Sequence, residues 1–116
     1  MANEVDYFEI GTPNPEASRA FYGGLFGWRF DEPSSPGSSY QFIEGGKGGL
    51  WGTQDTELGH WAVFYVHVAD VAASLAVAQK LGATVAMPLV DNGQITFAHL
   101  VDPTGNRFAI WRRNDE

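Results

Sequence analysis

The sequence predicts an α+β chain made of two copies of one module, each a strand, a helix and three further strands. Three observations lead there. Helix starts stand at Asn14-Pro15 and at Asp70, and a β-forming run precedes each and others follow. Helix-ending glycines, Gly27 and Gly82, lie 82 − 27 = 55 positions apart. A repeat of that length means that neither module buries its apolar face alone.

Taken in order, Val5–Ile10 alternates as a strand, and Asn14 caps a helix whose first position is Pro15. That helix runs from Pro15 to Phe26, with Ala17, Phe21 and Leu25 as its apolar stripe. A short strand is expected at Trp28-Arg29-Phe30 and a loop at Asp31–Ser39. Tyr40–Glu44 and Gly48–Gly52 read as strands joined by a turn at Gly45-Gly46-Lys47, and Asp55–Gly59 as a linker. The second module opens with the strongly β-forming Trp61–Val68. Asp70 then caps a helix with the stripe Val71, Leu75, Ala78 and Leu81. Strands at Thr84–Met87, Ile95–Val101 and Arg107–Arg112 complete it, the last two joined by the turn Asp102-Pro103-Thr104-Gly105-Asn106.

At 116 residues, 44% of them hydrophobic, the chain supports one core. A single domain over 1–116 follows, with module one at about 4–54 and module two at about 60–113. A net charge of −7 with only 7 Lys and Arg argues against a nucleic-acid partner, which requires clustered cations. The absence of cysteine removes disulfides, thiol nucleophiles and thiolate metal sites. No segment approaches the ~20 apolar residues that cross a bilayer, and the first residues lack a basic and apolar leader, so a cytoplasmic protein away from membranes is expected. Gly45-Gly46-Lys47-Gly48-Gly49 leads into a strand rather than a helix, which makes it a hairpin turn and not a phosphate cradle. Ser34, Ser35, Ser38 and Ser39 sit in a loop without a nearby His, so no nucleophilic triad is expected.

Phe21-Tyr22 followed by Leu25-Phe26-Gly27-Trp28, the doubled βαβββ order and the Asp102-Pro103-x-Gly105-Asn106 turn together resemble the vicinal oxygen chelate superfamily. That group includes glyoxalase I, bleomycin-resistance proteins, fosfomycin-resistance enzymes and extradiol dioxygenases. The resemblance covers nearly the whole chain. It implies a curved mixed sheet around a central cleft that encloses a ligand or a divalent metal, and a homodimer. The family's metal-binding positions fall at Tyr7, at Val63, near Trp51 or Gly52, and at Ala109 where a Glu would stand. Val, Ala, Gly and Trp offer such an ion no suitable lone pair and a neutral Tyr is a poor ligand, so no inherited metal and no cofactor are expected.

Strand alternation in that register places Val5, Tyr7 and Glu9 toward the cleft, with Phe8 and Ile10 toward a helix. Trp61, Val63, Tyr65 and His67 likewise face in, and Ala62, Phe64, Val66 and Val68 face the helix side. Arg107, Ala109 and Trp111 face in while Phe108 and Ile110 join the core. For Ile95–Val101 the pattern leaves two faces open, Phe97 with His99 or Ala98 with Leu100, and the first is preferred. Tyr7, Glu9, Trp51, Trp61, Tyr65, His67, His99, Arg107 and Trp111 then form the candidate ligand-binding set. Glu9 needs a partner if it points into an aromatic site, with Arg107 or His67 as candidates. His60, at the linker end, is expected to be exposed.

Two functions are open from these residues. One is a metal-free binder of a small aromatic or cationic molecule, which the aromatic lining and the negative charge suit. The other is a glyoxalase-like lyase or isomerase with Glu9, Tyr7 or His67 moving a proton, with or without a non-inherited metal on Glu9, His67 and His99.

Overall fold

The computed structural model describes residues 3–33, 37–53 and 57–116; Ser34 and Ser35 of the expected loop and Asp55 of the expected linker lie outside the described residues. The fold is α+β with a mixed sheet. In chain order its elements are β1 (Glu4–Thr12), α1 (Pro15–Phe26), β2 (Tyr40–Phe42), β3 (Gly48–Gly52), β4 (Trp61–His67), α2 (Val71–Lys80), β5 (Thr84–Asp91), β6 (Ile95–Val101) and β7 (Arg107–Arg113). The chain divides into two compact units, Tyr7–Ala62 and Val63–Glu116, the second including the amino-terminal segment through Asp6.

In the unit Tyr7–Ala62 the strand order is β2-β3-β1. β1 pairs with β3 in parallel, from Phe8 opposite Gly48 to Thr12 opposite Gly52, and β2 pairs with β3 antiparallel. α1 begins as its sequence dictates: the Asn14 carboxamide oxygen accepts from the Ala17 N–H at 3.0 Å and Pro15 follows. It ends at Gly27, whose φ of 72° a side chain would resist. The expected apolar stripe does not face the sheet, however, for Phe21 and Leu25 are each 60% exposed. The helix is rotated so that polar and ring contacts lie beneath it instead. Ser18 Oγ donates to Thr12 Oγ1 at 2.9 Å, Arg19 donates to Gln41 Oε1 at 2.7 Å, and Tyr22 stacks on Trp28 with centroids 5.5 Å apart. Trp28 also packs against Phe8 at 5.7 Å, and the strand expected at Trp28–Phe30 shrinks to one bridge, Phe30 to Ile43.

In the second unit the order is β4-β7-β6-β5, with β4 and β7 parallel and the remaining pairs antiparallel. Asp70 caps α2 by accepting from the Ala73 N–H at 2.9 Å. Beneath α2 lie Val68, Val71, Ala98, Leu100 and Ile110, flanked by Val66, Leu75, Ala78, Val85 and Phe108. This cluster resolves the face of β6: Ala98 and Leu100 pack in the apolar core, so Phe97 and His99 take the opposite face. Three further expectations of facing fail, at Leu81, Val5 and Phe64. Leu81 is 75% exposed past the end of α2, Val5 is 64% exposed, and Phe64 stacks at the surface on Phe108 with centroids 6.1 Å apart. β5 runs four residues beyond Met87, through Pro88, which an edge strand with register shifts tolerates.

The turn between β6 and β7 is built on Asp102. Its Oδ1 accepts from the Thr104 N–H, the Thr104 hydroxyl and the Asn106 N–H, each at 2.9 Å, and its Oδ2 from the Asn106 side-chain amide at 3.1 Å. These donors, the Asn106 N–H foremost, favour the carboxylate and pull its pKa down to about 2. A depressed folded-state pKa stabilises the fold above the unfolded value and loses that contribution as pH falls through the folded one. Asp102→Asn should therefore lower the melting temperature at neutral pH, and the gap to wild type should close between about pH 4 and pH 2. Thermal melts across that range check it, and a gap constant with pH would refute the assignment.

Candidate functional site

Strand register assembles one face of the unit Tyr7–Ala62. Glu9 of β1 and Phe42 of β2 both lie opposite Gly49 of β3, and Tyr40 lies opposite Trp51. Tyr7, Glu9, Gly49, Trp51, Tyr40 and Phe42 therefore share a face. Above Gly49 the hydroxyls of Tyr7 and Tyr40 meet at 2.8 Å. A Cβ at Gly49 would stand 2.1 Å from the Tyr40 oxygen and 2.3 Å from the Tyr7 oxygen, so only glycine fits beneath this pair. Gly11 does the same for Trp61, whose ring lies 2.3 Å from where a Cβ would be.

Glu9 is only 2% exposed, and its Oε2 accepts from the Trp61 indole N–H at 2.9 Å. Trp51 meets Trp61 edge to face, with centroids 5.4 Å apart. Burial raises the Tyr7 phenol well above its ordinary pKa, the Tyr40 hydrogen bond opposes this, and the Glu9 charge adds to it. Tyr7 is thus a proton-bearing hydroxyl beside a carboxylate.

The second unit carries a parallel arrangement. Tyr65 of β4 and His99 of β6 both lie opposite Ala109 of β7. Their side chains meet over the alanine methyl, Tyr65 Oη to His99 Nε2 at 2.9 Å. On the other ring nitrogen, Arg107 Nε–H donates to His99 Nδ1 at 3.1 Å. Since guanidinium only donates, Nδ1 is the acceptor, which places the imidazole proton on Nε2 and directs it to the Tyr65 oxygen. His67 bonds Glu116 Oε1 at 2.7 Å and packs edge-on against Trp111 at 5.3 Å. That bond from His67, with the Arg113 N–H, lowers the Glu116 carboxyl pKa. The Trp111 N–H donates to Asp6 Oδ1 at 2.9 Å, and the Arg113 guanidinium stands 5.7 Å from the indole centroid.

The two units correspond strand for strand, β1-β3-β2 to β4-β7-β6. Gly49 is then the counterpart of Ala109, since each lies opposite a residue of the parallel neighbour and a residue of the antiparallel one. The position expected near Trp51 or Gly52 moves accordingly to Gly49, two residues earlier. At both places the smallest residues sit under a hydrogen-bonded pair of rings. Sequence reasoning missed Tyr40 because its strand is only three residues long and its face follows from register alone. The available signal is the run Gly48-Gly49, which the sequence places at the start of a strand and the end of a glycine-rich turn without indicating what packs on it. His60 is exposed, as its linker position implied.

A family model described as Glyoxalase-like domain matches residues 7–111. The chain belongs to this family. Anthracycline biosynthesis protein DauV of Streptomyces sp. (strain C5) is 29% identical to it over 92% of the chain and 46% of DauV. The chain thus spans about half the length of that curated relative. Among the solved structures that share the fold are the following two. A glyoxalase/bleomycin resistance protein/dioxygenase superfamily member from Vibrio splendidus 12B01 matches with a TM-score of 0.64 at 15% identity, covering 96% of this chain and 99% of that one. A methylmalonyl-CoA epimerase from Streptomyces coelicolor, in complex with 2-nitronate-propionyl-CoA, matches with a TM-score of 0.62 at 15% identity over 98% and 99%.

The divalent metal that this glyoxalase-like fold implies does not fit the residues present. Gly49, Val63 and Ala109 supply no donor side chain, and tyrosine hydroxyls occupy the space above Gly49. The non-inherited set fails as well. Among the described residues no three His, Asp or Glu side chains converge as a metal site, and both nitrogens of His99 are already engaged. An open groove of about 340 Å³ lies elsewhere in the second unit, lined by Asp70, Val71, Leu89, Thr96, Arg112 and Glu116 among others. Its one cation, Arg112, donates to the carbonyl oxygens of Ala69 and Glu116, so the groove is a structural junction.

Gly49→Ala tests the packing of the tyrosine pair. It should destabilise the chain by about 1–3 kcal/mol, the usual cost of overpacking, measured by urea unfolding. A neutral result would mean that the two hydroxyls do not lie on this strand.

Proposed function

We propose that this glyoxalase-like chain binds a planar aromatic ligand and does so without a divalent metal. The observation that carries the reading is the pair of small residues, Gly49 and Ala109, each roofed by hydrogen-bonded rings where the family resemblance would place metal chemistry. Trp51 in one unit and Trp111 in the other are half-buried, and each presents an indole among further rings and polar groups. Stacking on such surfaces favours flat ligands over aliphatic ones. The charge of −7 adds attraction for cationic substituents. The name of the relative DauV points the same way, because anthracyclines are planar polycyclic aromatics.

Tryptophan fluorescence should be quenched saturably by hydroxyanthraquinones and not by aliphatic amines of similar mass. Trp111→Phe or Trp51→Phe should weaken binding at least severalfold, and protein stripped with chelator should bind unchanged. Loss of binding on chelation, restored by one equivalent of a divalent ion, would overturn the metal-free reading.

One observation favours a second reading, an isomerase or lyase with Glu9 as base. The Glu9 carboxylate is buried among aromatic rings, on the face that also carries the Tyr7 and Tyr40 hydroxyls. Glu9→Gln separates the two roles once a turnover assay exists. A base would lose turnover by at least about a hundredfold with melting unchanged, whereas a structural carboxylate would show the reverse.

A further inference from the structure

Helix α1 is built inside out. Its sheet-facing side carries the hydrogen bonds of Ser18 and Arg19 and the ring of Tyr22, and none of its residues is buried. Its outward side is apolar instead. Ala17, Ala20, Phe21, Gly24 and Leu25 recur at helical spacing, every one of them is exposed, and the stripe holds no charge. In α2 the arrangement is the ordinary one, with Val71, Leu75 and Ala78 turned to the apolar cluster. An uncovered stripe of this kind keeps apolar surface in water and is a surface for association.

We propose that the outward stripe of α1 is the contact between two copies of this chain, packed antiparallel about a twofold axis. Complementarity, area and charge each select a second copy. An axis midway between Phe21 and Gly24 sets each phenylalanine at the level of the partner's Gly24 and each Leu25 at the level of the partner's Ala20. A large side chain then stands against a small one at both levels. The space over Gly24 is open, since a Cβ there would meet nothing within 4 Å in this chain. Phe21 and Leu25 are each 60% exposed, and with the two alanines and the glycine they leave on the order of 350 Å² of apolar surface in water. That is about the apolar share of a smaller stable interface, which buries ~600 Å² per partner. A net charge of −7 repels a second copy, so two copies meet at least cost on an uncharged face. The same charge disfavours an anionic lipid surface, and Arg19, the basic residue of α1, is turned inward to Gln41.

Sedimentation equilibrium of the wild-type chain should give twice the mass of one chain. Gly24→Glu and Leu25→Glu each set like charges close together across the axis and should raise the dimer dissociation constant at least about tenfold. Gly24→Glu has room in the single chain and replaces a poor helix former, so circular dichroism should show the fold retained. Val77→Glu, at an exposed apolar position of α2, should leave the dissociation constant unchanged. A wild-type monomer would overturn the inference, and co-sedimentation of that monomer with phosphatidylglycerol vesicles would give the stripe to a lipid surface instead. A dimer that withstands both α1 variants, or that Val77→Glu dissociates as strongly, would overturn it by placing the interface elsewhere.

Discussion

Everything distinctive in this chain depends on a spacing. Adjacent strands lie about 4.8 Å apart, so residues on the two outer strands of a three-strand row are separated by about twice that. A tyrosine from one side meets a tyrosine or histidine from the other only over the residue between them. Tyr65 and His99 meet over Ala109, and Tyr7 and Tyr40 meet over Gly49. Any longer side chain at either central position would occupy the place of the bond. The choice of a small residue is therefore a steric condition for a polar contact, met in one unit by residues directly opposite the alanine and in the other by residues diagonal to the glycine.

These contacts also explain how so many polar groups are buried beside aromatic rings without penalty. Burying a hydroxyl, imidazole or carboxylate without a partner costs on the order of 1–3 kcal/mol or more. Glu9 accepts from Trp61, His99 uses both nitrogens, and among the described residues no buried side-chain nitrogen or oxygen lacks a partner. The aromatic residues contribute through their polar edges as much as through their area, the indole N–H of Trp61 and the hydroxyls of Tyr7, Tyr40 and Tyr65 being the groups that close the networks. A face built this way is preorganised, because each donor direction is fixed by the group behind it.

Strand alternation made most of these faces readable in advance. Tyr7 with Glu9, and Arg107 with Ala109 and Trp111, followed from a period of two and from the turn at Asp102, which sets the phase of β7. Helix caps at Asn14 and Asp70 were readable because a capping side chain acts within three residues. What the sequence concealed were choices made by tertiary contact. α1 offered an apolar stripe through Phe21 and Leu25, yet the hydrogen bonds of Ser18 and Arg19 and the stacking of Tyr22 on Trp28 rotated it. β6 carried apolar residues on both faces, and only the packing of Ala98 and Leu100 in the α2-side cluster decided between them. Tyr40 belonged to the site through cross-strand register, which no local pattern encodes.

The substitution of Ala for the carboxylate expected at position 109 thus has two consequences that cannot be separated. It removes a ligand that a metal would need, and it opens the space in which Tyr65 and His99 bond. A glutamate there would intrude between the rings, and its charge would compete with His99 for the Arg107 guanidinium, the cation that now fixes the imidazole tautomer. The size of one side chain at this strand position therefore decides which contacts form above it.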